Sequence, residues 1–150
     1  MNEADQAALR VEPAASADLA AIRALLEQAG LPTADVGEAL VPGFVVLRDG
    51  QSVLGSAAVE VLGSCALLRS VAVAPGLQSR GYGAHLTVAA QELARSLGLA
   101  PLYLLTTTAA DYFARRGFRR VERDALPAEV RASHEFSTLC PATAVAMVGP

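Results

Sequence analysis

The feature that most restricts the fold is the segment CALLRSVAVAP at residues 65–75, an apolar run interrupted by Arg69 and Ser70. A run of this kind is typical of a strand that is covered on both faces of a sheet. It leads through the loop GLQSRGYG into a pattern of apolar residues at helical spacing, which spans residues 81–97 and stops at Gly98. A buried strand joined to an amphipathic helix by a glycine loop predicts a fold that contains both kinds of element.

Strands and helices are also predicted before this segment. In chain order they are a strand at 8–13, a helix at 16–30, a second helix at 32–40, and two strands on either side of the Asp49-Gly50 hairpin turn. Ser16 is the predicted cap of the first helix and Gly30 its stop, while Thr33 is the candidate cap of the second. Antiparallel strands therefore come before the glycine loop.

The remainder of the chain alternates in the same way. After a turn at Gly63-Ser64 and the segment already described, it predicts a strand at 101–109, a short helix at 110–117 that ends at Gly117, a strand at 118–123, a helix at 126–136 with Pro127 in its first turn, and a last strand at 143–148. This mixed order predicts the α/β (α+β) class. It does not fit a doubly wound parallel sheet, because a hairpin stands where such a sheet would have a crossover.

Composition and charge limit the kinds of function. The 150 residues are 53% hydrophobic, with 12 basic and 15 acidic side chains, a net charge of −3 and a pI of about 5.3. We expect one domain over residues 1–150 and no basic surface for nucleic acid. The longest charge-free stretches, 96–110 and 136–150, are shorter than the ~20 apolar residues of a membrane span. The expected partner is a small molecule, neither nucleic acid nor membrane, and the polar, acidic first residues predict a cytoplasmic protein.

The glycine loop itself suits an anionic ligand. Gly81 and Gly83 remove side chains where backbone N–H groups could approach a ligand, and the helix that begins there adds the positive end of its dipole. Arg80 could add a charge-assisted contact to a phosphate or pyrophosphate. The loop is neither a dinucleotide fingerprint, which needs glycine where Leu86 stands, nor a Walker loop, which needs a lysine that the chain lacks. An ordinary strand-to-helix turn is the alternative.

The stretch LQSRGYG resembles the acyl-CoA pyrophosphate loop of the GNAT superfamily of N-acetyltransferases, (Q/R)-x-x-G-x-(G/A). SVAVAP is similar to that family's fourth strand and YFARRGF to the segment that ends in Gly-Phe after the fifth, so the resemblance covers residues 8–148. It implies the GNAT fold, a central mixed, mostly antiparallel, splayed sheet flanked by helices, with acetyl-CoA as co-substrate. The cofactor-binding residues that it implies are Val71, Val73, Gln78, Ser79, Arg80, Gly81, Tyr82, Gly83, Ala84 and Phe113.

The second half of the chain has a closer likeness. LYLLTTTAADYFARRGFRRVERDALP is similar to the acetyltransferase domain of N-acetylglutamate synthases, and LPAEVRASHEFSTLCPATAVAM resembles the GNAT subfamily encoded in arsenic-resistance operons. These likenesses imply N-acetylation of the α-amine of a small acidic amino acid, or of a glutamate analogue that contains arsenic or phosphorus. They also imply a homodimer. Thr108 stands where the synthases tend to have arginine, and this departure argues against glutamate itself as the substrate.

Arg69 and Glu60 are the candidate residues for acceptor binding and catalysis. In the family the fourth strand often carries a carboxylate at the positions that are Leu67 and Arg69 in this chain, so the usual base is missing. Two-residue alternation places Leu67, Arg69, Val71 and Val73 on one strand face, so Arg69 is expected to project toward the incoming amine, where it could bind a substrate carboxylate bidentately. Its alternative role is a surface ion pair. Glu60, on the preceding strand, is the candidate base, and a solvated glutamate is the alternative.

Other positions are predicted to line the acceptor pocket. Besides Arg69, the predicted substrate-binding residues are Ser70, Thr106, Thr107 and Arg131. The tyrosine that commonly protonates the leaving thiolate is replaced by Phe113, and Tyr112 beside it should point about 100° away around a helix. His134 could be a base, although an isolated surface histidine is the simpler interpretation.

The two cysteines, Cys65 and Cys140, lack metal-ligand spacing, so we expect reduced thiols and no metal. Capture of arsenite by both thiols is a further possibility, and small buried side chains are the alternative. Two other functions stay open at this point. The chain could be a GNAT enzyme that acetylates another amine, such as a peptide N-terminus or an antibiotic. It could also be a non-catalytic acyl-CoA sensor, because the usual glutamate and tyrosine are absent.

Overall fold

The computed structural model describes residues 9–139 and 142–150. The strands are β1 (Leu9–Pro13), β2 (Phe44–Asp49), β3 (Ser52–Leu62), β4 (Cys65–Val73), β5 (Leu102–Thr106), β6 (Arg119–Val121) and β7 (Val145–Val148). The α-helices are α1 (Leu19–Gln28), α2 (Tyr82–Ser96), α3 (Ala110–Ala114) and α4 (Ala128–Arg131). Short 3₁₀ helices span Ser16–Asp18, Glu38–Gly43 and Arg123–Ala125, and a π-helical turn spans Glu135–Leu139.

The described strands form one seven-stranded sheet in the order β1-β2-β3-β4-β5-β7-β6. The pairs β1–β2, β2–β3, β5–β7 and β6–β7 run antiparallel. The pair β4–β5 runs parallel, with Ala66 opposite Leu102 and Leu67 opposite Tyr103. The predicted α/β (α+β) class, with a mixed and mostly antiparallel sheet flanked by helices, is confirmed.

The described residues divide into two compact units. The first comprises the described part of Met1–Ala58 together with Ser70–Ala90. Its core is formed by apolar side chains that α1 presents at helical spacing and by the buried faces of the strands. These residues are Ile22, Leu25, Leu26, Val36, Phe44, Val46, Ala58 and Ala72. The second unit comprises Val59–Arg69 and the described part of Gln91–Pro150, and its buried cluster contains Leu67, Leu126, Val130 and Ala146. The single domain expected over residues 1–150 stays a prediction.

The entry into α1 differs from the prediction. The hydroxyl of Ser16 donates to Glu38 Oε2 at 2.8 Å and does not cap the helix. Asp18 is the N-cap residue of α1 without a side-chain bond into that helix, and its Oδ2 accepts the N–H of Ala15 at 2.8 Å across the preceding 3₁₀ turn. Arg48 donates to both Asp18 oxygens, at 2.9 and 2.7 Å, and also to Glu12. The prediction of Ser16 was wrong because an aspartate two residues later can satisfy both the backbone and a buried arginine.

The helix predicted at 32–40 is also wrong. The chain turns at 34–35 and then forms the 3₁₀ helix Glu38–Gly43, which contains Pro42. Nη1 of Arg23 donates to the carbonyls of Thr33 and Val36, which an α-helix would need for its own hydrogen bonds. A long-range side chain therefore replaces the helical ladder in this segment.

The helix predicted at 126–136 is shorter than expected. It spans Ala128–Arg131, and Pro127 is its N-cap and not a first-turn residue. The Ser133 hydroxyl donates to the Val130 carbonyl at 2.6 Å and accepts the N–H of Phe136 at 3.2 Å. Such local side-chain bonds compete with the helical ladder and explain the break before the π-helical turn.

Candidate active site

Ser70 interrupts the regular geometry of β4. It has a φ of +58°, in the left-handed region that non-glycine residues rarely adopt, and it is buried. Its carbonyl accepts the hydroxyl proton of the fully buried Ser56 at 2.7 Å. Because a left-handed residue breaks the two-residue alternation of a strand, the expected common face of Leu67, Arg69, Val71 and Val73 does not follow. Strain of this kind persists only where the surrounding structure holds it.

The loop after β4 presents backbone groups to solvent. Ser79 and Gly81 have φ values of +64° and +86°, on either side of Arg80. Left-handed residues that alternate with ordinary ones turn successive N–H groups toward one side and form an anion-binding concavity. All three residues are exposed, so a ligand can reach them. A Cβ at Gly81 would have no described atom within 4 Å, so the backbone angle and not the space requires glycine here.

The first turn of α2 follows directly. Its first hydrogen bond runs from the N–H of His85 to the carbonyl of Gly81 at 3.2 Å. By helix geometry the N–H groups of Tyr82, Gly83 and Ala84 then have no intrahelical acceptor. They lie beside the loop concavity and carry the positive end of the helix dipole. Together the two features fit the pyrophosphate group that the sequence predicts for this loop.

Within the first unit, Gly55 of β3 allows the first turns of α2 to pack closely against the sheet. A Cβ on Gly55 would lie 2.9 Å from Leu86 Cδ1, 3.1 Å from the Ala72 carbonyl oxygen and 3.3 Å from Leu47 Cβ. Leu86 is fully buried and belongs to the second turn of α2. The glycine therefore fixes how deeply α2 seats, and with it the position of the helix N-terminus. Sequence analysis did not single out Gly55, and a glycine inside a strand is the signal that could have found it.

Arg69 and Glu60 form an ion pair in the second unit. Nη1 of Arg69 donates to Oε1 of Glu60 at 3.0 Å. The Arg69 side chain is 0% exposed and that of Glu60 is 17% exposed, so the carboxylate is the accessible side of the pair. The structure thus brings together the predicted acceptor-binding residue and the predicted base. The surface ion pair considered as the alternative is a buried one on the arginine side.

Thr106 and Thr107, both predicted to contact the substrate, differ in their surroundings. Oγ1 of Thr106, the last residue of β5, accepts the N–H of Ala109 at 3.0 Å. This bond closes the turn that leads into α3, so Thr106 has a structural task. Thr107 is exposed.

Phe113 lies in a small aromatic group. It is 6% exposed and packs edge to face against Tyr112 at 5.1 Å and against Phe118 at 5.6 Å between ring centroids. The guanidinium of Arg116 stacks over the Tyr112 ring at 3.6 Å. Phe113 therefore contributes first to the core, and its small exposed area limits the contact that it could offer a cofactor.

Arg131 and His134 lie on the surface near α4. Nε of Arg131 donates to the carbonyl of Leu126 at 3.1 Å, which fixes part of its guanidinium to the backbone. His134 is exposed.

Cys65 is a free thiol whose Sγ lies 3.6 Å from Oε2 of Glu129. Burial raises the pKa of the Cys65 thiol, and the Glu129 carboxylate acts in the same direction. A higher thiol pKa leaves less of the thiolate that binds arsenite or metals at neutral pH. Cys140, the second thiol of the arsenite hypothesis, lies outside the described residues.

Across the residues that the structure describes, no cluster of three or more His, Cys, Asp or Glu side chains could hold a metal ion. Within the same residues, no helix combines the length and apolarity needed to cross a membrane.

Comparison with known proteins identifies relatives of the chain. The model of the Acetyltransferase (GNAT) domain family matches residues 42–120. An amino-acid acetyltransferase of Neisseria meningitidis is 31% identical over 132 residues, which cover 83% of this chain and 30% of that protein. An amino-acid acetyltransferase of Pseudomonas aeruginosa is 34% identical over 93 residues, 61% of this chain and 22% of that protein.

Solved structures give the same picture. The N-acetylglutamate synthase of Neisseria gonorrhoeae, complexed with coenzyme A and N-acetyl-glutamate, superposes with a TM-score of 0.81 at 27% identity, over 94% of this chain and 34% of that one. A Mycobacterium tuberculosis protein crystallised with CoA superposes with a TM-score of 0.76 at 24% identity, over 93% and 98% of the two chains. The chain thus spans about a third of the length of the Neisseria relatives. The GNAT fold expected from the sequence is confirmed.

Proposed function

Because the chain belongs to the GNAT acetyltransferase family, which uses acetyl-CoA as acyl donor, we propose that it acetylates the α-amine of a small acidic amino acid. The observation that carries the acceptor class is Arg69, a fully buried cation on β4 whose carboxylate partner is the accessible member of the pair. A buried guanidinium is suited to bidentate recognition of a carboxylate or a similar oxyanion. The relatives named amino-acid acetyltransferases support an amino acid as the acceptor.

The donor is assigned to the loop and the first turn of α2. We assign its pyrophosphate to the backbone N–H groups of Gln78, Ser79, Arg80, Gly81, Tyr82, Gly83 and Ala84, with the Arg80 side chain as an added cation. The left-handed angles of Ser79 and Gly81 support this assignment. The backbone of Val71 and Val73, which follows the left-handed Ser70 in β4, is assigned to the pantetheine arm. Phe113 keeps its proposed apolar contact with the donor.

The acceptor is assigned to the substrate-binding residues predicted from the sequence. Arg69 holds the acidic group of the acceptor, with Ser70, Thr106, Thr107 and Arg131 as further substrate contacts. Ser70 and Thr106 can act through their remaining polar groups only while their structural bonds are kept.

Glu60 is the proposed base. Its carboxylate takes one proton from the acceptor ammonium, so that the amine nitrogen can form a C–N bond to the acetyl carbon as the C–S bond breaks. The electron pair of the broken bond goes to sulfur, and the second proton lost by the nitrogen completes the CoA thiol. A thiol with a pKa of ~8.5 is a tolerable leaving group, so turnover does not require a tyrosine where Phe113 stands.

Finer assignments extend the proposal. A glutamate analogue with an arsenic- or phosphorus-containing acid in place of the side-chain carboxylate would present similar oxygens to Arg69. The homodimer and the cytoplasmic location expected from the sequence stay predictions.

The test is release of free CoA thiol from acetyl-CoA with glutamate, phosphinothricin, arsinothricin, neutral amino acids, polyamines and peptides as acceptors. Selective turnover of the acidic amino acids is the expected result. Turnover of polyamines or peptides alone would overturn the acceptor class. No thiol release with any amine, while acetyl-CoA still binds, would leave an acyl-CoA sensor as the better description.

A further inference from the structure

Two consecutive residues of β3 contact the end of β4 within the first unit. The hydroxyl of Ser56 donates to the carbonyl oxygen of Ser70 at 2.7 Å. The carbonyl of Ala72 lies against Gly55, where a Cβ would meet its oxygen at 3.1 Å. The carbonyl groups of Ser70 and Ala72 therefore both face β3.

The orientation of these carbonyls also fixes the N–H groups that follow them. The carbonyl of Ser70 and the N–H of Val71 belong to one planar peptide group, and in a trans peptide the two bonds point to opposite sides. The same holds for the carbonyl of Ala72 and the N–H of Val73. Both N–H groups thus point away from β3, and both valines are partly exposed.

The hydroxyl of Ser56 is the side-chain group that holds the first of these peptides. Ser56 is fully buried, so water does not reach its hydroxyl to take over the hydrogen bond. The residue that it holds, Ser70, has the unfavourable left-handed φ of +58°. A strained residue of this kind keeps its conformation only where neighbouring groups hold it.

We propose that Ser56 is a positioning residue for the acyl donor: its hydroxyl holds the peptide group between Ser70 and Val71 so that the Val71 N–H donates to the acetyl carbonyl of acetyl-CoA. The inference rests on the proposed function, which assigns the backbone of Val71 to the donor. As the amine nitrogen bonds to the acetyl carbon, an electron pair of the carbonyl moves to its oxygen, where a fixed N–H stabilises the charge. The bond from Ser56 also polarises the peptide and strengthens its N–H as a donor.

Infrared spectroscopy of bound acetyl-CoA, labelled with ¹³C at the acetyl carbonyl, tests this proposal without an acceptor amine. A hydrogen bond to the carbonyl oxygen lowers its stretching frequency, so wild-type protein should lower it relative to free acetyl-CoA. Ser56→Ala should return the frequency toward the free value. Ser56→Cys, which keeps a side chain of similar size with a weaker donor, should give an intermediate frequency and leaves no cavity.

Kinetics give a second readout that a purely structural role would not produce. Ser56→Ala should lower kcat about tenfold, the size of one hydrogen bond, because the contact to the carbonyl oxygen strengthens in the transition state. The dissociation constant of CoA, which has no acetyl carbonyl, should stay the same. Ser133→Ala is the matched control, since the buried Ser133 hydroxyl donates to the Val130 carbonyl at 2.6 Å in the second unit. It should leave the carbonyl frequency unchanged.

Equal carbonyl frequencies in the wild type, Ser56→Cys and Ser56→Ala would overturn the inference, and so would an equal frequency change in Ser133→Ala. In wild-type protein, the amide proton signal of Val71 should move when acetyl-CoA replaces CoA, and a signal that stays in place would also overturn it. The expected infrared pattern without acetylation of any amine would support the role of Ser56 and reject the proposed reaction. Acetylation of an acidic amino acid with an unshifted carbonyl would do the reverse.

Discussion

Replacing Gly81 with alanine tests the backbone concavity that is proposed to hold the CoA pyrophosphate. At a φ of +86° an L-residue is strained by about 1–2 kcal/mol, and no described atom lies within 4 Å of the added Cβ. The variant can relieve that strain only by turning the peptide, which moves N–H groups away from the concavity. Loss of one hydrogen bond to a charged phosphate weakens binding by about 1.5–3 kcal/mol, or about tenfold to a hundredfold in Kd.

Gly98→Ala is the matched control. Gly98 has a φ of +75°, no described atom lies within 4 Å of a Cβ there, and it follows the opposite end of α2. Both variants should lose about 1–2 kcal/mol of stability, a fall in Tm of about 2–8 °C. Only Gly81→Ala should weaken the binding of CoA.

Calorimetric titration of each variant with CoA, dephospho-CoA and pantetheine is the assay. Dephospho-CoA retains the pyrophosphate and should lose as much affinity as CoA in Gly81→Ala, whereas pantetheine lacks the pyrophosphate and should be unaffected. Equal CoA binding in both variants, or an equal loss for pantetheine, would refute the reasoning that the loop holds the pyrophosphate through its backbone.

Three further predictions concern stability. Gly55→Ala should lower the free energy of unfolding in urea by about 1–3 kcal/mol through overpacking. Gly37→Ala is the control and should lower it little, because no described atom lies within 4 Å of a Cβ there. Equal losses in the two variants would contradict the close packing of α2. Hydrogen bonds from Arg48 lower the pKa of Asp18. The ionised Asp18 therefore stabilises the folded protein above the unfolded pKa of ~3.9, and this contribution to the free energy of unfolding is lost as pH falls below that value. The urea midpoint should fall more steeply between pH 7 and pH 3 in the wild type than in Asp18→Asn. Thr106→Val should lower stability by about 0.5–2 kcal/mol by removing the acceptor at the start of α3, and an unchanged Tm would count against that role.

Features that depend on neighbouring residues could be predicted from the sequence. The Asp49-Gly50 turn lies between β2 and β3 as expected, because a residue with positive φ is needed there and Gly50 supplies it at +58°. The apolar period over 81–97 and the glycine after it located α2 and its end, since helical hydrogen bonds join residues four apart. The glycine loop at 76–83 could be found in the same way, because its glycines and the helix that follows are neighbours in the sequence.

Features that depend on distant partners could not be predicted in this way. Asp18 replaced Ser16 at the helix entry because Arg48, far along the chain, could pair with it. The 32–40 segment lost its helix to the carbonyl contacts of Arg23. In both cases the local propensity was real but smaller than the stabilisation gained by satisfying buried polar groups.

The amino-acid sequence by itself determined the order of the seven strands, the anion-suited loop and the residue types available to the site. Tertiary structure decided that Ser70 adopts a left-handed conformation, held by Ser56, and that Arg69 pairs with Glu60. The predicted turn at Gly63-Ser64 makes neighbours of the two strands that carry Glu60 and Arg69. The 3.0 Å contact shows that the pair forms, and the burial of the arginine side chain, which depends on how the whole chain packs, leaves Glu60 as the more accessible member.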